Sequence, residues 1–282
     1  MPITSQVQIG VRTGTATATT CSLVAASLVA GNITISGSWG AATFSISPVQ
    51  IGTDRGSGKT EAAYVGSATI TGLTAFTRYS YTATQGSNNS AGSFMTLPTE
   101  NSDFSLFFAG CDNNGSFGGD ATGFWQKIKE YAQSGSLPTA GVLFVDDHGY
   151  VDLMKVDDSA GSGHSCTDLT NGAAFTGLVY NYALGYVCNL GMLQNTGNSY
   201  VAWGRDSARA WCNQNLNYIP QWGDHEFYND LGWTLPTASV ALPETGAKAA
   251  TMFASGKTAW NAFMQPLQPT DLTKTLDATS NH

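Results

Sequence analysis

YIPQWGDHEFYND, residues 218 to 230, is the stretch of this chain that says most about its fold. A short apolar segment, Tyr218-Ile219-Pro220, reads as a strand and leads into an Asp-His-Glu group in a chain with only 4 histidines. A strand that ends in polar residues exposes them at the end of a sheet, where open α/β folds bind their ligands. The stretch therefore predicts a site at Asp224, His225 and Glu226. The alternative interpretation is a polar loop with one solvated histidine.

Two other apolar runs, residues 104–109 and 141–145, end in similar polar clusters. The first precedes Cys111-Asp112-Asn113-Asn114, and the second precedes Asp146-Asp147-His148-Gly149-Tyr150. Short runs that are almost wholly apolar predict strands buried on both faces of a parallel sheet. Because the carboxyl ends of parallel strands lie about 5 Å apart, we expect the three clusters to converge on one pocket.

Helical spacing of apolar residues predicts helices near residues 124–132, 208–216 and 249–264, with Gly135 as the C-cap of the first. Strands that alternate with helices indicate a parallel sheet in an α/β layered domain. Residues 153–200 are rich in Gly, Asn and Ser and are predicted to loop over the surface. We interpret Arg205 and Arg209 as surface residues, with contact to phosphate as the alternative.

The first part of the chain, residues 1–97, has the pattern of an all-β domain. Residues 32–37 and 68–73 alternate between polar and apolar with a period of two, as half-buried strands do. A Gly-Leu-x-x-x-Thr-x-Tyr-x-Tyr segment begins at Gly72, and a Gly-x-Phe-x-Thr-x-Pro segment ends at Pro98. This order resembles the end of a fibronectin type III or immunoglobulin-like sandwich. Residues 98–102 are the predicted linker.

Composition narrows the class of protein. A length of 282 residues favours two domains, and charged residues make up 11%, against about 25% in ordinary soluble chains. The net charge is −8 and there is no Lys/Arg cluster, which argues against a nucleic-acid-binding patch. No apolar run is long enough to span a membrane, and no signal peptide is visible at the N-terminus. A composition rich in hydroxyl groups and poor in charged residues is typical of extracellular, cell-surface or virion-surface proteins.

The chain has 5 cysteines, and an odd number leaves at least one of them unpaired in a monomer. Cys166 and Cys188 lie in the same Gly- and Asn-rich region and are the candidates for a disulfide.

The order of these motifs resembles the PhoD-like alkaline phosphatases of the calcineurin-like metallophosphoesterase superfamily. In that family a β-sandwich precedes a strand ending in Ser-Cys-Gln, then Gly-Asp-x-x-Tyr, then Trp-Asp-Asp-His-Glu with a nearby Asn. The corresponding segments here are Gly110-Cys111-Asp112, Asp146-Asp147-His148-Gly149-Tyr150 and Trp222-Gly223-Asp224-His225-Glu226, with Asn229 following. The resemblance implies an immunoglobulin- or fibronectin-like sandwich over residues 1–97. It also implies the N-terminal half of a metallophosphoesterase α/β sandwich over residues 103–282.

The same resemblance assigns roles to individual residues. The implied metal ligands are Cys111, Asp147, Tyr150 and Asp224, with Asp147 bridging two ions. His225 is the implied catalytic residue, facing the phosphate or the leaving group. Asn113, Asn114 and Asn229 are the candidates for binding phosphate, although turn formation explains the first two equally well.

The implied cofactors are Fe³⁺ and Ca²⁺, or another divalent ion in place of calcium. A thiolate, a phenolate and a carboxylate suit a strongly acidic ion such as Fe³⁺, and a carboxylate-rich site suits Ca²⁺, Mg²⁺ or Mn²⁺. In such a centre a hydroxide bridging the two ions attacks the phosphorus of a phosphate ester.

The chain departs from the family pattern at two positions, and it is shorter than the family pattern. Asp146 stands where the family has Gly, and Gly223 stands where it has Asp. The family continues beyond the position of His282 with a second sheet and further ligands. We therefore expect a fragment, an assembly completed by a second chain or by self-assembly, or a fold retained for structure. The second hypothesis is a structural or adhesive module of a surface, virion or filament that keeps the scaffold without activity.

Overall fold

The computed structural model of the chain describes residues 9–51, 63–110, 123–145, 156–157, 163–164, 208–223 and 246–269, with the single positions 179, 182, 183 and 186. Over these residues the fold is rich in β-structure and contains large antiparallel sheets.

The strands of the N-terminal part are β1 (Ile9–Ala16), β2 (Cys21–Ser27), β3 (Ile33–Gly37), β4 (Gly40–Ile46), β5 (Val49–Ile51), β6 (Ala63–Ile70), β7 (Arg78–Gln85) and β8 (Asn88–Met95). They form two antiparallel sheets of four strands each, with the orders β1-β2-β6-β5 and β4-β3-β7-β8. The prediction of β-structure before residue 98 is confirmed over the described positions.

Strand β7 shows how the sequence produces this sandwich. Its residues alternate strictly between exposed and buried, so that Tyr79, Tyr81 and Ala83 face the core. This alternation is typical of a strand with one face on a core and the other in water. A two-residue turn leads into β8, and its Gly86 has a φ of 59°. A type II′ hairpin turn requires this left-handed conformation at its first central position.

A side-chain hydrogen bond fixes the connection between β6 and β7. The backbone N–H of Thr74 donates to the hydroxyl of Tyr79 at 2.8 Å. The ring of Tyr79 also stacks on Phe94, with 5.6 Å between ring centroids. The corner is therefore tied to the core that lies between the two sheets.

The α/β part comprises β9 (Ser105–Ala109), α1 (Phe124–Ser134), β10 (Thr139–Val145), β11 (Val156–Asp157), β12 (Gly163–His164), α2 (Ala208–Asn215), β13 (Asn217–Gln221), α3 (Gly246–Phe263) and a 3₁₀ turn at Gln265–Leu267. Strands β9, β10 and β13 form a parallel sheet in the order β13-β10-β9. Helices α1, α2 and α3 confirm the three predicted helices, and Gly135 is the C-cap of α1 as expected.

Strand β2 of the sheet β1-β2-β6-β5 is buried on both faces. On β2, Leu23 and Ala25 belong to the core between the two antiparallel sheets. Their neighbours Val24 and Ala26 belong to a second core, which they share with the helices and the parallel strands. The two parts of the chain thus share this second core.

Three expectations from the sequence are wrong in detail. Strand β9 is not buried on both faces, because Phe108 is 67% exposed. Residues 153–200 are not all loop, because β11 pairs with β12 and positions 179, 182, 183 and 186 are helical. Arg209 is not a surface residue, because it is only 1% exposed and lies over the ring of Trp125. No helix among the described residues is both long and apolar enough to cross a membrane.

Candidate functional site

The parallel strands end together at one edge of their sheet. Phe144 of β10 pairs with Ala109 of β9 on one side and with Pro220 of β13 on the other. Val145 pairs with Gln221, the last residue of β13. The prediction that the three strand ends lie side by side is therefore confirmed.

Each predicted cluster begins just beyond this edge. Cys111 lies two positions after the end of β9, Asp147 two positions after β10, and Asp224 three positions after β13. Neighbouring strands are about 5 Å apart. The three motif-bearing segments therefore follow strand ends that lie side by side.

The predicted site residues themselves lie outside the described part of the chain. They are Cys111, Asn113, Asn114, Asp147, Tyr150, Asp224, His225 and Asn229, and the same holds for Cys166 and Cys188. Within the residues that are described, no group of three or more His, Cys, Asp or Glu side chains could hold a metal ion. The prediction of a metal site therefore rests on the segments that follow the strand ends.

The edge is narrow where β9 meets β10. A Cβ atom placed on Gly110 would overlap the carbonyl oxygen of Val145. Only glycine therefore lets the chain leave β9 this close to β10. This close approach directly precedes Cys111 in the sequence.

An aromatic stack supports the strand ends from the helix side. Trp125 of α1 stacks on Phe144 of β10 with an interplanar angle of 2° and 5.9 Å between centroids. Phe144 in turn stacks on Tyr218 of β13 at 5.7 Å. Each of these rings is at most 5% exposed. The stack ties β10 and β13 to α1 within a few residues of the candidate site.

A buried arginine lies at each end of this stack. The guanidinium of Arg12 lies 4.2 Å from the ring centroid of Tyr218, and that of Arg209 lies 5.4 Å from the centroid of Trp125. Guanidinium groups are weakly hydrated and stack on aromatic faces, which makes such burial tolerable. Burial and the nearby charge of Arg209 together lower the pKa of Arg12 to about 10, with burial the larger cause. Arg12 therefore remains protonated at neutral pH.

The sequence alone does not predict that Arg12 packs against the α/β part of the chain. Arg12 lies in β1 of the sandwich, yet it also donates to the sulfur of Met264 at 3.6 Å. No local pattern signals a contact between residues so distant in the chain. The one available signal is a charged residue within the run Ile9-Gly10-Val11-Arg12, in a chain with few charges.

The two cysteines in the described residues, Cys21 and Cys212, are both buried. Burial raises the pKa of the Cys21 thiol well above its ordinary range, so that the thiol stays protonated and unreactive. Both are therefore core residues.

Comparison of the chain with protein-family models and with curated proteins gives no match.

Proposed function

We propose that this chain is a metal-dependent phosphoric-ester hydrolase related to the PhoD-like alkaline phosphatases. The observation that carries the proposal is the parallel pairing of β9, β10 and β13. This pairing brings the three strand ends together, and the three motif-bearing segments follow those ends directly. Open α/β sheets bind their ligands beyond the carboxyl ends of their strands.

The finer fold assignment is part of the same proposal. The orders β1-β2-β6-β5 and β4-β3-β7-β8 correspond to the A-B-E-D and C′-C-F-G orders of immunoglobulin-like sandwiches. The hydrogen bond from Thr74 to the Tyr79 hydroxyl lies between β6 and β7, where such sandwiches have their tyrosine corner. The parallel sheet with its helices supports assigning residues 103–282 to the N-terminal half of a metallophosphoesterase α/β sandwich.

The donor set fits a pair of metal ions. Cys111, Asp147 and Tyr150 would hold Fe³⁺, because thiolate, carboxylate and phenolate donors favour a strongly acidic ion. Asp224, together with a shared Asp147, would hold Ca²⁺ or another divalent ion. When bound, the ions would supply Lewis-acid charge that neutralises the phosphate and lowers the pKa of a water molecule.

The remaining site residues would act on the substrate directly. His225 would face the leaving group and donate a proton to its oxygen. The side-chain amides of Asn113, Asn114 and Asn229 would donate hydrogen bonds to the phosphate oxygens. A net charge of −8 disfavours polyanionic substrates, so a small phosphate ester is the expected class. The hydroxyl-rich, sparsely charged surface supports an extracellular, cell-surface or virion-surface location.

Hydrolysis of p-nitrophenyl phosphate and of bis-(p-nitrophenyl) phosphate tests this proposal, measured alongside elemental analysis of the purified chain. Asp147→Asn and Asp224→Asn should each lower kcat/KM by a factor on the order of 10³, because each removes a metal ligand. The matched control is Asp103→Asn, since Asp103 is exposed and lies before β9. A chelator should abolish hydrolysis by the wild-type chain.

Absence of iron, calcium and other divalent ions, together with absence of chelator-sensitive hydrolysis, would reject the proposal. Wild-type activity retained by Asp147→Asn would reject the role of that residue as a bridging ligand.

A structural or adhesive module is the second candidate, and one observation favours it. The face of the parallel sheet that points away from the helices carries Leu106, Phe108, Leu143, Val145 and Ile219, and none of these is charged. Phe108 is 67% exposed and Val145 is 38% exposed. Exposed apolar faces of this kind often bind another protein surface. Concentration-dependent assembly in sedimentation experiments, with no bound metal, would favour this function over hydrolysis.

A further inference from the structure

The junction between α2 and β13 is held by side chains of the sandwich. The last carbonyl groups of a helix lack partners within the helix. Here the hydroxyl of Tyr81 donates to the carbonyl of Gln214 at 3.2 Å. A guanidinium nitrogen of Arg78 donates to the carbonyl of Asn215 at 3.1 Å. The end of α2 is therefore capped by residues of β7.

Arg78 also reaches the neighbouring strand. Its second terminal nitrogen donates to the carbonyl of Thr139, the first residue of β10, at 2.8 Å. One guanidinium group thus joins the start of β10 to the residue that precedes the junction with β13. Its positive charge also lies at the C-terminal end of α2, where the helix dipole stabilises a cation.

Asn217, the first residue of β13, is held from both sides. Its side-chain amide donates to the carbonyl of Gly14 in β1 at 3.1 Å. Its side-chain oxygen accepts from the backbone N–H of Met95 in β8 at 2.9 Å. Asn217 is 4% exposed, so that water cannot easily replace these partners.

A glycine in β8 makes room for this contact. A Cβ atom on Gly92 would overlap the carbonyl oxygen of Gln214 and the hydroxyl of Tyr81. The adjacent Ser93 donates to the carbonyl of Asn215 at 3.3 Å. The sandwich surface is therefore shaped to receive the end of α2.

We infer that the sandwich positions the proposed hydrolytic site, with Arg78 and Asn217 as the positioning residues. They fix the starts of β10 and β13, and the segments that carry Asp147 and Asp224 leave the opposite ends of the same strands. Strand β13 is only five residues long. A shift at its start is therefore carried to its end. This inference rests on the proposed function, in which Asp147 and Asp224 would hold the metal ions and misplacing either ligand would cost activity.

Steady-state kinetics of the full chain with p-nitrophenyl phosphate, at saturating metal, tests the inference. Arg78→Ala should lower kcat roughly tenfold with KM nearly unchanged, because misplaced catalytic groups lose rate rather than binding. Gly92→Ala should have the same signature. Ser93→Ala should lower kcat less than these two substitutions do. It is also the one of the three that should disturb folding least. Arg78→Lys keeps the charge but cannot span both carbonyl groups, so it should restore kcat only in part.

Two control variants separate positioning from stability. Ile35→Val removes a methylene group from the core between the antiparallel sheets, away from α2 and β13. It should lower Tm and leave kcat unchanged when all variants are assayed well below their Tm. Thr82→Ala alters an exposed position on the same strand as Arg78, and it should change neither Tm nor kcat.

The outcomes distinguish this inference from the proposed function. If the wild-type chain is active and the Arg78, Gly92 and Ser93 variants lose only Tm, as Ile35→Val does, the positioning role is refuted and the hydrolase assignment stands. A wild-type chain without metal-dependent hydrolysis would reject both. A selective loss of kcat in those variants supports the inference.

Discussion

Replacing Asn217 with alanine should destabilise the protein strongly, because its side chain joins β13 to both sheets of the sandwich. The substitution removes the partner of the Met95 N–H and of the Gly14 carbonyl, which bond to Asn217 at 2.9 and 3.1 Å. A buried polar group that loses its hydrogen bond costs about 1–3 kcal/mol. With two such groups, we expect the free energy of unfolding to fall by roughly 2–6 kcal/mol. That loss is a large fraction of the whole free energy of unfolding, which is typically about 5–15 kcal/mol for a protein domain.

Guanidinium chloride denaturation, followed by tryptophan fluorescence, measures this loss. The matched control is Thr82→Ala at an exposed position, which should change the unfolding free energy by less than about 0.5 kcal/mol. The isosteric Asn217→Asp variant adds a second test. It keeps an acceptor for the Met95 N–H but places a carboxylate in a buried site beside the Gly14 carbonyl. Burial raises the pKa of such a carboxyl in the folded state, so its deficit in stability should shrink as pH falls.

A loss below about 1 kcal/mol for Asn217→Ala, with an unchanged denaturant slope, would refute this reasoning, because the two buried groups would then have found other partners. An Asn217→Asp variant whose deficit is independent of pH would refute the assignment of the side-chain amide as the donor to Gly14.

Three further changes have expected outcomes. Gly110→Ala should lower stability by about 1–3 kcal/mol and reduce bound metal, because the new methyl group overlaps the Val145 carbonyl; calorimetry and elemental analysis check both. Phe144→Ala should cost about 3–5 kcal/mol, whereas Phe108→Ala should cost under about 1 kcal/mol, because these residues are 0% and 67% exposed; equal losses in denaturation would contradict the burial. Cys21→Ala should flatten the alkaline loss of stability. The folded pKa of Cys21 is raised, so its contribution is complete below pH 9.0 and declines above it by up to about 1.4 kcal/mol per pH unit. A pH profile of unfolding with the same slope in both chains would exclude this thiol as the cause.

Features with a strong local pattern could be predicted from the sequence. Strand β7 and helix α1 follow their periodicities, and Gly135 follows α1 where a Cβ atom would overlap the carbonyl oxygen of Tyr131. The convergence of three strand ends could also be predicted. Parallel pairing follows from strands that alternate with helices, and polar residues that follow a buried run mark the strand end.

The contacts between the sandwich and the α/β part could not be predicted. Arg12 and Met264 are separated by 252 positions, and their contact depends on how two separately patterned regions pack. Arg209 was assigned to the surface because charged helix residues usually lie there, yet Trp125 provides a ring for its guanidinium. An apolar run likewise does not specify what covers its second face. For this reason Phe108 was expected to be buried and is exposed.

The candidate site was predictable as a location and not as a set of contacts. The strand ends are fixed by backbone hydrogen bonds, which a repeating sequence pattern encodes. The arrangement of Cys111, Asp147 and Asp224 relative to one another depends on segments whose sequence shows no periodicity from which a conformation could be predicted.

The burial of β2 on both of its faces has a consequence for how this chain can evolve. Successive residues of β2 pack against different neighbours. Leu23 and Ala25 pack against the facing sheet, whereas Val24 and Ala26 pack against the core that contains the helices. A sandwich transferred alone to another protein would carry an apolar outer face, and the α/β part left behind would lose one wall. The two regions should therefore be inherited as a pair, with compensating substitutions across their boundary, rather than shuffled between proteins as independent modules.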